Sequence, residues 1–125
     1  MNVLVWAGVL GIGGLGAVTR FVVDRKITRH TKSSFPFGIM VVNISGALLL
    51  GFLAGQIGGP IVNDLVALLA GSAFLGAYTT FSTWMLDTQR FTEERRIWPA
   101  AANIVVSVVL GIAAAATGLW IASQL

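Results

Sequence analysis

Three groups of residues in this 125-residue chain have types and spacing that could do chemistry. The first is the run Gly76-Ala77-Tyr78-Thr79-Thr80-Phe81-Ser82-Thr83, in which hydroxyl side chains crowd into an otherwise apolar segment. Such a cluster fits a discontinuous helix whose freed backbone groups face protein or ions, because irregular backbone at membrane depth is tolerated only there. An unbroken helix in which Ser and Thr bond back to preceding carbonyls is the plainer alternative. The second is Asn43, an amide inside an apolar run. It reads either as interhelical glue, worth about 0.6–2 kcal/mol, or as a donor lining a permeation path. The third, Gly11-Ile-Gly13-Gly-Leu-Gly16, matches the G-x-G-x-x-G dinucleotide pattern, but that pattern needs a preceding strand and a soluble βαβ context. Here it lies in an apolar helix, and Asn43-Ile44-Ser45, a glycosylation sequon, is likewise out of reach inside a span.

The absences are equally informative. There is no Cys and a single His, so disulfides, thiolate metal sites and cysteine nucleophiles are excluded. Within the apolar runs no Asp, Glu, Lys or His occurs, and the one Arg is Arg20. A proton-coupled exporter needs a titratable group in its substrate site, and a hydrolase needs a general base or a metal set. Neither is present, which leaves passive permeation of a small species or a structural role.

The elements that must position these residues follow from composition. The chain is 56% hydrophobic and 10% charged, and its 15 Gly lift the apolar share to about 68%, far above the ~45–50% of soluble domains. Apolar runs from Val3 to Val23, Phe37 to Ile57, Leu65 to Leu86 and Trp98 to Ile121 predict four spanning helices, each near the ~20 residues a bilayer requires. The start lacks the positive region of a signal peptide. The expected fold is thus an all-α integral membrane protein, residues 1–125 forming one four-helix domain with a break in the third helix at Gly76 to Thr79. All eight Lys and Arg fall at the first and third connections, at Arg20 to Lys32 and Arg90 to Arg96. The positive-inside rule places those loops in the cytoplasm and both termini outside.

Small residues recur every fourth position, as Asn43, Ala47, Gly51, Gly55 and again as Asn103, Ser107, Gly111, Ala115. Lipid provides no hydrophobic drive for helix association, so such rows serve close backbone approach, either within one bundle or against a second subunit.

Three motifs, Gly13-Gly-Leu-Gly-Ala-Val-Thr-Arg20-Phe21, Pro36-Phe-Gly-Ile-Met-Val-Val-Asn43-Ile-Ser-Gly46 and Gly76-Ala-Tyr-Thr-Thr-Phe81-Ser-Thr-Trp84, in this order and spacing, closely resemble those of the Fluc (CrcB) family of microbial fluoride channels. The resemblance implies a fluoride-selective channel of the plasma (cell inner) membrane, passive and not an enzyme, built as an antiparallel dimer of dual topology with two pores and a central structural Na+. Carried over by position, Asn43 becomes the pore amide, Phe81 a pore phenylalanine, and Ser82 and Thr83 part of a hydroxyl track. Arg20 would sit near the vestibule, and the carbonyls of Gly76 and Thr79 would bind sodium. The sequence departs from the family pattern at Trp84, in place of the second pore phenylalanine, and at Ile39, in place of a threonine. In the last helix, where a tyrosine and a serine are typical, only Asn103 and Ser107, one turn apart, take those places. The implied partners are fluoride, the lipid bilayer and a second antiparallel subunit, identical or a homologue of opposite charge bias. A small multidrug-type exporter and a non-conducting partner subunit are the alternatives.

The physics of the ion is consistent with that expectation. Fluoride is small and strongly hydrated, so a selective pore must replace its water with close neutral donors rather than with a cationic trap. Aromatic ring edges, which carry partial positive charge, can add to the donors.

Overall fold

A computed structural model describes residues 2–125 as four long helices, each long and apolar enough to cross a bilayer. These are α1 (Val3–Thr31), α2 (Phe37–Gly55), α3 (Asp64–Glu93) and α4 (Ile97–Ala122). The fold is the all-α membrane architecture expected, with the third helix interrupted.

The basic stretch after Val23 is helical, whereas the apolar pattern placed the end of the first span there. α1 continues to Thr31, stitched by bonds such as His30 Nδ1 to the Lys26 carbonyl and Thr31 Oγ1 to the Ile27 carbonyl. Its 29 residues rise about 43 Å, against a hydrocarbon core of ~30 Å. The apolar edge therefore marks where the membrane ends, and the helix runs on as a cationic projection. It begins at Asn2, whose Oδ1 accepts from the Val5 N–H at 3.0 Å, and stops at Lys32, which adopts a left-handed φ of 48°.

The connections are short and pinned. α2 ends where the buried Gln56 donates from Nε2 to the Ala122 carbonyl at 2.8 Å, tying it to the end of α4. The turn that follows needs a positive φ, supplied by Gly58 at 80°. Asn63 then caps α3 by accepting from the Val66 N–H.

α3 is the irregular element. Residues Ala67–Leu75 are π-helical, with the Gly76 N–H reaching the Gly71 carbonyl. One further turn, Gly76–Tyr78, leads to Thr79, which is extended at φ −77° and ψ 158°. The helix resumes at Ser82–Glu93. The interruption thus falls at 79–81 rather than at Gly76, which is itself helical at φ −62° and ψ −35°.

Small residues set the helix contacts. Gly16 of α1 lies against the Phe74 carbonyl of α3, so no side chain fits there. α2 and α4 approach so closely that a Cβ at Gly51 would strike the Ala115 carbonyl, and one at Gly118 would strike the Leu48 carbonyl and the Phe52 N–H. The α2 small-residue row is thereby used at Gly51 within the bundle, while Gly111 in the α4 row meets nothing within 4 Å. The core is small, centred on Val42, Leu75 and Tyr78 with Val23, Leu53 and Phe74 around them. Large apolar side chains such as Leu10, Leu49, Val105 and Trp120 stay exposed, as lipid or protein contact requires.

Candidate functional site

The break in α3 is built by a side chain 37 residues away. Asn43, on the second turn of α2, accepts the Thr80 N–H on Oδ1 at 2.8 Å and donates from Nδ2 to the Thr80 carbonyl at 2.9 Å. An amide side chain has a donor and an acceptor spaced like a peptide group, so it replaces both helix bonds that Thr80 forgoes. Buried backbone groups left unpaired would cost several kcal/mol each in hydrocarbon. Asn43 is therefore interhelical glue and part of the polar site together; among the described residues its second Nδ2 hydrogen has no acceptor.

Thr80 also restarts the helix. Its Oγ1 accepts the Thr83 N–H at 3.3 Å, in the manner of an N-cap, and lies 3.3 Å from both the Ser82 and the Thr83 hydroxyls. Three hydroxyls thus meet at the start of the second half of α3. Before the break, the Tyr78 hydroxyl is 2.9 Å from Ser45 Oγ on α2. Sequence reasoning placed Ser82 and Thr83 in the site but not Thr80 or the Ser45–Tyr78 pair. The crowding of hydroxyls was the available signal for Thr80, whereas nothing local marks Ser45 as Tyr78's partner.

Four carbonyls are freed by this arrangement. Thr79 N–H still reaches Leu75, but the Thr80 and Thr83 N–H groups are diverted, to Asn43 and to the Thr80 hydroxyl. Among the described residues no donor reaches the carbonyls of Gly76, Ala77, Tyr78 or Thr79. Gly76 and Thr79 both line a groove of about 960 Å³ that runs between α2, α3 and α4. Hard oxygen donors without a carboxylate suit a monovalent cation better than a divalent one, so this donor set fits sodium.

The groove collects Asn43, Phe81, Trp84 and Ser107 as well. No titratable residue lines it among the described residues. Phe81 is 70% exposed and meets Trp84 edge to face, with centroids 5.6 Å apart and planes at 78°. Trp84 in turn donates its indole N–H to the Asn103 carbonyl at 3.0 Å. Asn103 is 0% exposed, and its Nδ2 donates to Thr88 Oγ1 at 2.9 Å and to the Trp84 carbonyl at 3.4 Å. What Asn103 leaves free is Oδ1, an acceptor without a partner. Its place is behind Trp84, locking α4 to the second half of α3, rather than on the groove as a donor.

The remaining expected positions spread out. Ser107 lines the groove, with an Oγ that is buried and unpartnered. Ser82 and Thr83 join the site through Thr80. Arg20 is on α1, outside the residues that line the groove, and Ile39 is buried at 5% exposure in the core. Beyond the groove, Arg96 bonds Ser34 Oγ at 3.1 Å and stacks on Phe91, joining the two basic connections.

Residues 7–119 match the family described as CrcB-like protein, Camphor Resistance (CrcB). A protein of Mycobacterium bovis named fluoride-specific ion channel FluC 2 is 58% identical over 122 residues, covering 98% of this chain and 94% of its own. The FluC 2 protein of Mycolicibacterium paratuberculosis is 60% identical over 121 residues, with coverages of 97% and 96%. A more distant relative in Streptomyces avermitilis, fluoride-specific ion channel FluC 1, is 37% identical over 120 residues, covering 96% and 97%. Taken with the interrupted third helix and the uncharged groove beside it, these matches mean that the chain belongs to the CrcB family, a family of fluoride ion channels.

Proposed function

We propose that this chain forms a fluoride-selective pore giving passive efflux of fluoride from the cytoplasm across the plasma membrane, with no enzymatic step. The observation that carries the reading is the break of α3, where Asn43 and Thr80, the latter joined to the Ser82 and Thr83 hydroxyls, lie with the exposed Phe81 on a groove without fixed charge. Neutral donors compensate dehydration of a small anion without trapping it. Ser107 adds a hydroxyl from α4, and Arg20 lies toward the cytoplasmic end of the first span, where it raises anion concentration at the pore mouth. The groove faces a second, antiparallel subunit, and the freed carbonyls of Gly76 and Thr79 hold a structural sodium ion near the axis between the two breaks. Reconstituted into liposomes together with a homologue of reversed charge bias, the protein should release fluoride once an ionophore clears the voltage and pass chloride far more slowly. Replacing sodium on both sides by a much larger monovalent cation should reduce the flux. Comparable chloride flux removes the selectivity, and full fluoride flux without sodium removes the cation's role.

The charge pattern bears on the second subunit. Every Lys and Arg lies at one membrane face or in its adjoining connection, a bias that favours one insertion direction, with both connections cytoplasmic. The subunit opposite is accordingly a homologue of reversed bias rather than an identical chain. Accessibility labelling at both termini in cells should mark the outside only; labelling from both sides restores the homodimer.

A further inference from the structure

Six threonines in the helices of this protein bond back to their own helix. The hydroxyls of Thr19, Thr31, Thr79, Thr88, Thr92 and Thr117 each donate to the carbonyl four residues earlier. Ser107, in the middle of α4, does not: its Oγ is buried and has no partner. The corresponding carbonyl is that of Asn103. A carbonyl has two lone pairs, and here the helix ladder takes one through the Ser107 N–H while the Trp84 indole N–H takes the other at 3.0 Å. The acceptor four residues before Ser107 is full.

We propose that Trp84 is a positioning residue for the anion pathway, its indole N–H occupying the Asn103 carbonyl so that the Ser107 hydroxyl stays free to donate to fluoride in the groove. This role rests on the fluoride reading above and extends it. The indole acts through its N–H and not through its ring face. Asn103 completes the device: bonds from its Nδ2 to the Trp84 carbonyl and to Thr88 Oγ1 hold the two helices in register, so that the indole and the carbonyl meet. A benzene ring at position 84 would keep the packing against Phe81 and lose the donor.

The test is fluoride efflux from liposomes with Trp84→Phe, Ser107→Ala and the double variant, each beside the same unmodified homologue of reversed charge bias, assembly being checked by size-exclusion chromatography. Each single variant should lose about tenfold in rate, the worth of one hydrogen bond, and the double should be no slower than Ser107→Ala alone. A rate equal to wild type for Trp84→Phe, or losses that multiply in the double variant, overturns the proposal. Incorporating 3-benzothienylalanine at position 84 keeps the indole's shape without its N–H; it should reproduce the loss even if the phenylalanine variant misassembles, and full flux with it overturns the proposal. Hydrogen exchange of the indole N–H supplies a readout independent of flux. It should be protected at Trp84 relative to the 85%-exposed Trp98, and equal exchange overturns the proposal. Absence of fluoride flux from the unmodified protein, both alone and beside a homologue of reversed charge bias, defeats the fluoride reading and this role with it, whereas flux that ignores position 84 defeats this role alone.

Discussion

Asn43→Asp should reduce fluoride efflux by about a hundredfold or more while leaving the chain able to insert and fold. A carboxylate still accepts the Thr80 N–H but has no hydrogen for the Thr80 carbonyl, which loses the partner it holds at 2.9 Å. The break then retains one of its two ties to α2. The larger effect is electrostatic: a fixed negative charge about 5 Å from a passing anion raises its energy by roughly 3 kcal/mol at an effective dielectric of 20, a factor of more than 100 in rate. Asn43→Ala separates the two contributions, since it removes both bonds and adds no charge. It should lower thermal stability in detergent more than the aspartate does and lower flux less. Efflux from Asn43→Asp within a few-fold of wild type would show that ions do not pass beside this amide.

Gly118→Val should abolish the folded state. The Cβ at this position would meet the Leu48 carbonyl, with the Phe52 nitrogen 2.6 Å away. Both are backbone atoms on α2, and no side chain can rotate to make room. α2 and α4 must separate, and with them go the neighbouring contact of Gly51 and the bond from Gln56 to Ala122. Overpacking a core costs about 1–3 kcal/mol when side chains can yield and more when they cannot, and in lipid the lost packing is the main force holding the helices together. Size-exclusion chromatography and a thermal scan should show aggregation or loss of a cooperative transition. Gly111→Ala, at an open position of the same helix, should leave this fold intact. A valine variant that elutes and melts as wild type would mean that the crossing is looser than described.

The spans, their order and the interruption of the third helix were legible in the sequence because hydropathy and the hydroxyl cluster are local signals. The position of the break was less so. Gly76 suggested a start for it, yet Gly76 is helical, because a glycine merely permits a break and a bonding partner must make one. That partner is Asn43, and its pairing with Thr80 is a long-range fact. The extension of α1 to Thr31 was hidden for another reason: Arg and Lys are good helix formers, so a rise in charge marks the membrane boundary without ending the helix. In the site, Phe81 and Ser107 line the groove. The burial of Asn103 behind Trp84 could not be read, since both belong to helices whose relative rotation is set by packing.

The π-helical turns at Ala67–Leu75 carry a consequence for how this chain can change in length. Each wide turn takes in one residue more than an α-turn, so the stretch behaves like a surplus held in the helix. Deleting a single residue there could be absorbed by narrowing the ladder, leaving Asn63 and Thr80 facing their present neighbours. The same deletion in the α-helical stretch after Ser82 has no slack to draw on, and would swing every later side chain by about a quarter of a turn, carrying Trp84 off its acceptor. Natural length variation in the third helix should therefore gather before the break and be absent after it.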